Sequence, residues 1–238
     1  MEQLQDHTPA QPSKSKASSK AMHLRYTRQR RLFFLMIILI PICTFSAYYW
    51  WQGHVAALPY YTLGFREQNK APYYQVPGFV FTNQDGGFTD SSFVRGKVWV
   101  ANFFFTSCPT ICPKMTKNLQ KVQATFINNT NFTMTSMTVD PDHDGPAKLK
   151  TYAVSHQIKT QQWQLLTGQK KELYGFARKG LGVVATDGDG GPGDFIHSDQ
   201  LVLVDQKGHI RGYYDGTSRT ATQTLIQDIQ RLLQNHLL

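Results

Sequence analysis

Phe103-Phe-Phe-Thr-Ser-Cys-Pro-Thr-Ile-Cys-Pro-Lys-Met-Thr116 is the stretch that decides the fold of this 238-residue chain. It continues residues 98–105, a nearly all-apolar run rich in Val and Phe, which is typical of a strand buried on both faces. A proline follows each cysteine. Because the residue before a proline avoids the α region, we expect Cys108 and Cys112 to lie outside regular helix. Pro113 suits the first turn of a helix with Cys112 as its N-cap residue.

This placement of two cysteines has chemical consequences. A thiol at a helix N-terminus faces unpaired N–H groups and the positive end of the helix dipole, so we expect its pKa to fall. Thiolate is both a nucleophile and a metal ligand, and three intervening residues allow two sulfurs to meet on one ion or to close a disulfide. The spacing is not the Cys-x-x-Cys of thioredoxin-like reductases. A structural disulfide, or two buried thiols, is the alternative interpretation.

The formal net charge of +9 is distributed unevenly. Residues 1–31 hold seven basic and two acidic residues, which gives +5 and leaves about +4 for the remainder. No basic cluster stands out in that remainder, so we expect no nucleic-acid partner. Of the three cysteines, Cys43 lies in an apolar run, which leaves only Cys108 and Cys112 and gives little support for a structural zinc site of four Cys or His ligands.

Residues 32–51 carry no charge and predict a single transmembrane helix, because twenty residues at a rise of about 1.5 Å span about 30 Å. Arginines precede this run and an aromatic belt ends it, an arrangement that places the N-terminus in the cytoplasm. We therefore predict a basic disordered tail over residues 1–31, a membrane helix over 32–51, a linker over 52–71 and a folded domain over 72–238. A cleaved signal peptide and a mitochondrial transit peptide are the alternatives.

Strand and helix patterns alternate through the folded domain, then end in a hairpin and a helix. Predicted strands lie within residues 73–82, 98–105, 132–139, 163–166, 183–186, 200–205 and 209–214, and predicted helices start near residues 113, 146, 169 and 218. This order predicts an α/β domain of thioredoxin type. Asp140, Asp142 and Asp144 are interpreted as turn and capping residues, and a carboxylate metal site is the alternative.

Three features together resemble the SCO/SenC family. They are the Cys-x-x-x-Cys loop after a buried aromatic strand, a Val-Asp-Pro-x-x-Asp segment ending at Asp144, and His197 just before the hairpin. The resemblance covers about residues 76–233. It implies a membrane-anchored, thioredoxin-like fold with extra N-terminal strands and an inserted hairpin or loop, in a copper protein that helps mature cytochrome c oxidase. It also implies that Cys108, Cys112 and His197 bind copper.

The implied ligand set suits copper chemically. Two thiolates and an imidazole form a soft set that favours Cu(I), and Cu(II) stands highest in the affinity order of divalent ions. His143 is the competing histidine, because it follows the neighbouring strand. The Gly-rich segment 187–194 departs from the family pattern, so its role stays open.

Two functions follow from this resemblance. The first is a copper chaperone that delivers copper to the acceptor subunit of a membrane cytochrome c oxidase. The alternative is a thiol–disulfide oxidoreductase, in which Cys108 and Cys112 form a redox-active pair that reduces the cysteines of a copper-acceptor protein. Both need a thiol reductant, because an extracytoplasmic space tends to oxidise thiols. We expect the folded domain in the bacterial periplasm, with the mitochondrial intermembrane space as the alternative.

Overall fold

The computed structural model of the chain describes residues 33–48, 58–64, 66–187 and 195–234. The chain divides into two compact units, Met1–Ala57 and Leu58–Leu238. The described part of the first unit is helix α1, residues 33–48, whose apolar side chains are exposed. Among the described residues, no helix combines the length and the apolar character needed to cross a bilayer. Residues 1–31 of the predicted tail, and residues 32 and 49–51 of the predicted membrane helix, lie outside the described part of the chain.

The second unit contains eleven strands and four α-helices among its described residues. The strands are β1 (Tyr61–Thr62), β2 (Arg66–Glu67), β3 (Val80–Asn83), β4 (Phe88–Asp90), β5 (Val98–Phe104), β6 (Phe132–Thr138), β7 (Trp163–Thr167), β8 (Ala185–Asp187), β9 (Phe195–His197), β10 (Gln200–Val204) and β11 (Ile210–Asp215). The helices are α2 (Ile111–Phe126), α3 (Pro146–Ser155), α4 (Lys170–Gly180) and α5 (Arg219–Gln234). The α/β alternation predicted from the sequence is therefore confirmed.

Nine strands form one mixed sheet in the order β2-β1-β11-β10-β5-β6-β7-β3-β4. The central strands β5, β6 and β7 are parallel, and the remaining pairs are antiparallel. Every residue of β5 and β6 is buried. For β5, the apolar run over residues 98–105 predicts this, because such a run is typical of a strand covered on both faces. Strands β8 and β9 pair only with each other, as a separate two-stranded sheet.

Helices α2 and α3 lie side by side on one face of the sheet. Each connects two neighbouring parallel strands, β5 to β6 and β6 to β7, and successive right-handed crossovers in one direction place their helices on the same face. Thr116 of α2 shares a hydrogen bond of 2.8 Å with the hydroxyl of Tyr152 of α3. Helix α5 packs against α2, and α4 packs Phe176 against Phe79 and Phe81.

The parallel pairing of β5 and β6 positions the cysteine loop. Phe104 lies opposite Thr138 at the carboxyl ends of these strands, so the segments that follow both strands meet at one edge of the sheet. The segment after β5 carries the two cysteines, and the segment after β6 carries the aspartates. In open α/β sheets this edge is where ligands bind.

The segment before the folded domain contains structure that its sequence did not indicate. Within the segment assigned above to a linker, Tyr61–Thr62 form β1 and Arg66–Glu67 form β2, and β1 pairs with β11 at Tyr61 and Ile210. The guanidinium of Arg211 donates hydrogen bonds to the carbonyl oxygens of Leu58 and Pro59 and so fixes the segment to the sheet. Strands of two residues have no detectable period, which is why the pattern missed them. Residues 52–57 lie outside the described residues.

Candidate metal centre

The two cysteines lie on either side of the start of helix α2. Cys108 is in the loop, as predicted, whereas α2 begins at Ile111 with Thr110 as its N-cap residue. Cys112 is therefore the second helical residue, and the prediction that it caps the helix from outside is wrong. The helix tolerates Pro113 in its first turn because the N–H that proline lacks would have no intrahelical partner there. Cys112 is helical even though a residue that precedes a proline normally avoids the helical region.

The thiols of Cys108 and Cys112 form no disulfide and are buried, with 7% and 1% of their surfaces exposed. Burial opposes ionisation of Cys108, but hydrogen bonds from the backbone N–H groups of Cys112, Thr110 and Ile111 and from the Cys112 thiol hold the pKa of Cys108 below its ordinary value. The Cys112 thiol therefore takes part in stabilising the Cys108 thiolate. The predicted effect of the helix N-terminus is found at Cys108, which lies ahead of the helix.

Cys112 behaves in the opposite way. Burial raises the pKa of the Cys112 thiol well above its ordinary value, and the neighbouring charges of Cys108 and Asp144 raise it further. A hydrogen bond with the backbone of Phe105 lowers the pKa but does not offset the burial. The expectation of a lowered pKa at Cys112 is therefore wrong. The pair combines a sulfur that ionises readily with a sulfur that holds its proton.

The aspartates after β6 divide into a buried pair and an exposed residue. Asp144 is 1% exposed and Asp140 is 4% exposed, whereas Asp142 faces solvent. The side chain of Asp144 does not cap α3, because Gly145 is the N-cap residue and no side chain bonds the first turn. Instead, its carboxylate accepts hydrogen bonds from Thr106 and Thr138. The capping interpretation of Asp144 is therefore wrong, and the sequence carried no signal for these contacts.

His143, the competing ligand, is turned toward an aspartate. Its Nδ1 lies 2.8 Å from a carboxylate oxygen of Asp140, and its side chain is 74% exposed. The hydrogen bond with Asp140 raises the pKa of His143. Among the residues that the structure describes, no group of three or more His, Cys, Asp or Glu side chains is arranged to hold a metal ion.

His197 is described at the level of its backbone. It is the last residue of β9 and pairs with Ala185 of β8. Its side chain lies outside the described part, so its role as a third ligand stays a prediction. Strands β8 and β9 bracket residues 188–194, most of the Gly-rich segment, which also lie outside the described residues.

A buried tyrosine near the thiols was not identified from the sequence. Tyr152 of α3 is 8% exposed, and its ring stacks on that of His156 at a centroid distance of 4.0 Å. Burial raises the pKa of Tyr152 to about 12, and the charges of Cys112 and Cys108 add to the shift. Its hydroxyl shares a hydrogen bond with Thr116, which lies one helical turn after Cys112. In the sequence, Tyr152 is only one of several apolar residues on a helix face.

Comparisons with known proteins identify the family of the chain. The family model described as SCO1/SenC matches residues 67–234, which is most of the chain. The chain belongs to the SCO1/SenC family. The SCO1 protein homolog of Bacillus subtilis is 33% identical to it over 159 residues, which cover 66% of this chain and 82% of that relative.

Solved structures of SCO1/SenC proteins show the same fold. The structure of BsSco, described as a member of the Sco family of cytochrome c oxidase assembly proteins with a disulfide switch, matches with a TM-score of 0.59 at 32% identity over 67% of this chain and 93% of that chain. ScoI of Bradyrhizobium japonicum with copper bound matches with a TM-score of 0.56 at 22% identity over 67% and 99% of the two chains, a likeness that shows the fold alone. The mixed sheet is thus the thioredoxin-like fold of Sco structures.

Proposed function

We propose that this SCO1/SenC protein binds one copper ion through Cys108, Cys112 and His197 and delivers it to a membrane cytochrome c oxidase during assembly. The observation that carries the proposal is that two buried thiols outside any disulfide, one of them with a lowered pKa, lie at the edge of the sheet where open α/β sheets bind ligands. Two thiols four residues apart at the start of one helix need little rearrangement to share one ion. Soft sulfur ligands select Cu(I) over harder cations.

The surroundings of the thiols suit transfer of a metal. The residues that flank Cys108, Ser107 and Pro109, are exposed, as is Thr110, so a partner's ligands can reach the loop. An acceptor can bind the ion from outside while the cysteines leave one at a time. Because both thiols must lose their protons to bind copper, and Cys112 holds its proton firmly, we expect copper affinity to fall as the pH falls.

A second candidate function is reduction of disulfides in a copper-acceptor protein. The unequal pKa values of the pair favour it, because an attacking thiolate and a protonated resolving thiol are the two groups that the reaction needs. Cys108 would attack a partner disulfide and form a mixed disulfide, with release of one partner thiol. Cys112 would then displace the second partner thiol and leave a Cys108–Cys112 disulfide, which a thiol reductant must reopen.

The test is a copper titration of the reduced full chain beside two histidine variants. We expect one tightly held copper ion per chain in wild type and a much weaker one in His197→Ala. His143→Ala is the matched control, since His143 lies in the neighbouring loop but is turned to Asp140, and we expect it to bind as wild type does. Weak copper binding in wild type, with a rapidly cycling disulfide, would reject the chaperone and favour the oxidoreductase.

We also propose that one N-terminal helix anchors the protein, with the folded unit on the periplasmic side of a bacterial membrane. The uncharged run 32–51, its flanking arginines and the exposed apolar side chains of α1 support this. Cell fractionation tests the proposal. Full chain that leaves the membrane fraction on alkaline carbonate washing, or that is protected from protease added to spheroplasts, contradicts it.

A further inference from the structure

The buried carboxylate of Asp144 ties together the two segments that meet at the cysteine loop. It accepts hydrogen bonds from the backbone N–H of Thr106 at 2.9 Å, from the Thr106 hydroxyl at 2.5 Å and from the Thr138 hydroxyl at 2.6 Å. Its own backbone N–H donates to the carbonyl oxygen of Asp140 at 2.9 Å. Within the described residues no salt bridge joins Asp144 to a cation, so hydrogen bonds alone satisfy this buried charge.

Thr106 is the point at which this carboxylate can act on the thiols. It lies two residues before Cys108, beyond the end of β5 at Phe104, where the sheet no longer holds the chain. The backbone of Cys108 itself makes a long hydrogen bond of 3.3 Å to Phe105. The two bonds from Thr106 to Asp144 are shorter and charge-assisted, the kind that is about twice as strong as a neutral bond.

We propose that Asp144 is a positioning residue of the dithiol, whose carboxylate holds Thr106 so that the sulfurs of Cys108 and Cys112 stay within reach of each other. The inference deepens the proposed function, on which its relevance to copper rests. The positioning itself concerns the metal-free protein. Preorganised groups react at a much higher effective concentration than free ones. Loss of the hydrogen bonds between Asp144 and Thr106 therefore lowers the tendency of the two thiols to form a disulfide.

The reaction that measures this positioning is equilibration with glutathione. One glutathione disulfide oxidises the pair, so that a Cys108–Cys112 bond forms, the glutathione S–S bond breaks, and the two thiol protons and two electrons pass to two molecules of glutathione. The full chain is used in a Cys43→Ser background, so that Cys108 and Cys112 are the only thiols that contribute to the measurement. The readout is the equilibrium constant, obtained from the fraction of protein that remains alkylatable.

Two substitutions of Asp144 separate position from charge. Asp144→Ala removes all three acceptor contacts, and we expect the equilibrium constant to fall by at least about tenfold, which corresponds to about 1.4 kcal/mol and already follows from the loss of one buried hydrogen bond. Asp144→Asn keeps the shape. Its amide oxygen can accept the two bonds now made to Oδ2, and its amide nitrogen can donate to the Thr106 hydroxyl once that hydroxyl rotates. We therefore expect Asn to restore the constant to within about threefold of wild type.

Two further variants complete the test. Asp142→Ala removes an exposed carboxylate from the same loop and is the matched control, expected to leave the constant unchanged. Thr106→Val deletes a single hydroxyl, so it still reports if Asp144→Ala fails to fold, and we expect about a threefold fall. An unchanged constant in folded Asp144→Ala, or in Thr106→Val where the Ala variant is unfolded, overturns the proposal. An equal loss in Asn and Ala also overturns it, since that result assigns the effect to charge.

A copper titration of the same variants keeps this inference separate from the proposed function. If the wild-type chain binds no copper, the proposed function fails while the glutathione constants still decide the role of Asp144. If copper binds normally to wild type and the glutathione constants do not vary, the chaperone stands and the positioning role fails.

Discussion

Removal of the Cys112 thiol should slow alkylation of Cys108 at low pH and speed it at high pH. The Cys112 thiol is one of four donors that stabilise the Cys108 thiolate, beside the backbone N–H groups of Cys112, Thr110 and Ile111. Cys112→Ala deletes this donor and leaves the three backbone donors in place. The pKa of Cys108 should therefore rise from its lowered value.

The size of the effect follows from the strength of one hydrogen bond to a charged group. Such a bond contributes about 1.5–3 kcal/mol, and a thiol is a weak donor, so we take the lower end of that range. At 1.36 kcal/mol per pKa unit, the pKa of Cys108 rises by about one unit. Below both pKa values the thiolate fraction falls about tenfold, while the more basic thiolate is about threefold more nucleophilic, which leaves the reaction about threefold slower. Above both pKa values it is about threefold faster.

The assay is the rate of modification of Cys108 by iodoacetamide between pH 5 and 11, followed by mass spectrometry of the full chain in a Cys43→Ser background. Cys112→Ser is the matched control, because its hydroxyl still donates a hydrogen bond, and its profile should stay near that of wild type. The profiles of Cys112→Ala and wild type should cross. Superimposed profiles, or a lower midpoint for Cys112→Ala, would refute the reasoning.

Three further predictions concern stability and are measured by urea unfolding of the full chain. Asp205→Ala should lower the free energy of unfolding by about 3–5 kcal/mol, because it leaves the buried guanidinium of Arg211, now 2.9 Å from the carboxylate, without its partner; a loss below 1 kcal/mol would contradict this. Gly182→Ala should cost more than about 1 kcal/mol, since Gly182 has a φ of +68° and an added Cβ would lie 2.9 Å from a backbone nitrogen; unchanged stability would show that the turn relaxes. Lys150→Met should change the free energy by less than about 1 kcal/mol, because its ion pair with Asp85 is exposed; a larger loss would indicate that this pair is coupled to the fold.

The secondary structure of the folded unit was largely predictable, because most of its elements are long and periodic. The run 98–105 predicted β5, and Pro146 predicted the start of α3. The short strands β1, β2, β4 and β9 were missed. A segment of two or three residues carries no period of its own. It becomes a strand because it pairs with another segment, as Tyr61 does with Ile210.

The sequence identified the pair of cysteines but not the electrostatics around them. The spacing of Cys108 and Cys112 identified the pair, but the assignment of the lowered pKa to Cys112 failed. Sequence placed Cys112 at the helix end and could not show that it is 1% exposed, which is the main cause of its raised pKa. The side chain of His197 lies outside the described residues, so its part in the site stays a prediction.

The sequence by itself determined the strand, cysteine loop and helix, and with them the family and the chemistry of two thiols, because these depend on residue type and local spacing. Only the tertiary structure decided which thiol ionises and what holds the loop. Both depend on groups brought together from separate parts of the chain. Thr106 and Asp144 are 38 residues apart and meet because β5 and β6 are parallel neighbours that end at one edge of the sheet.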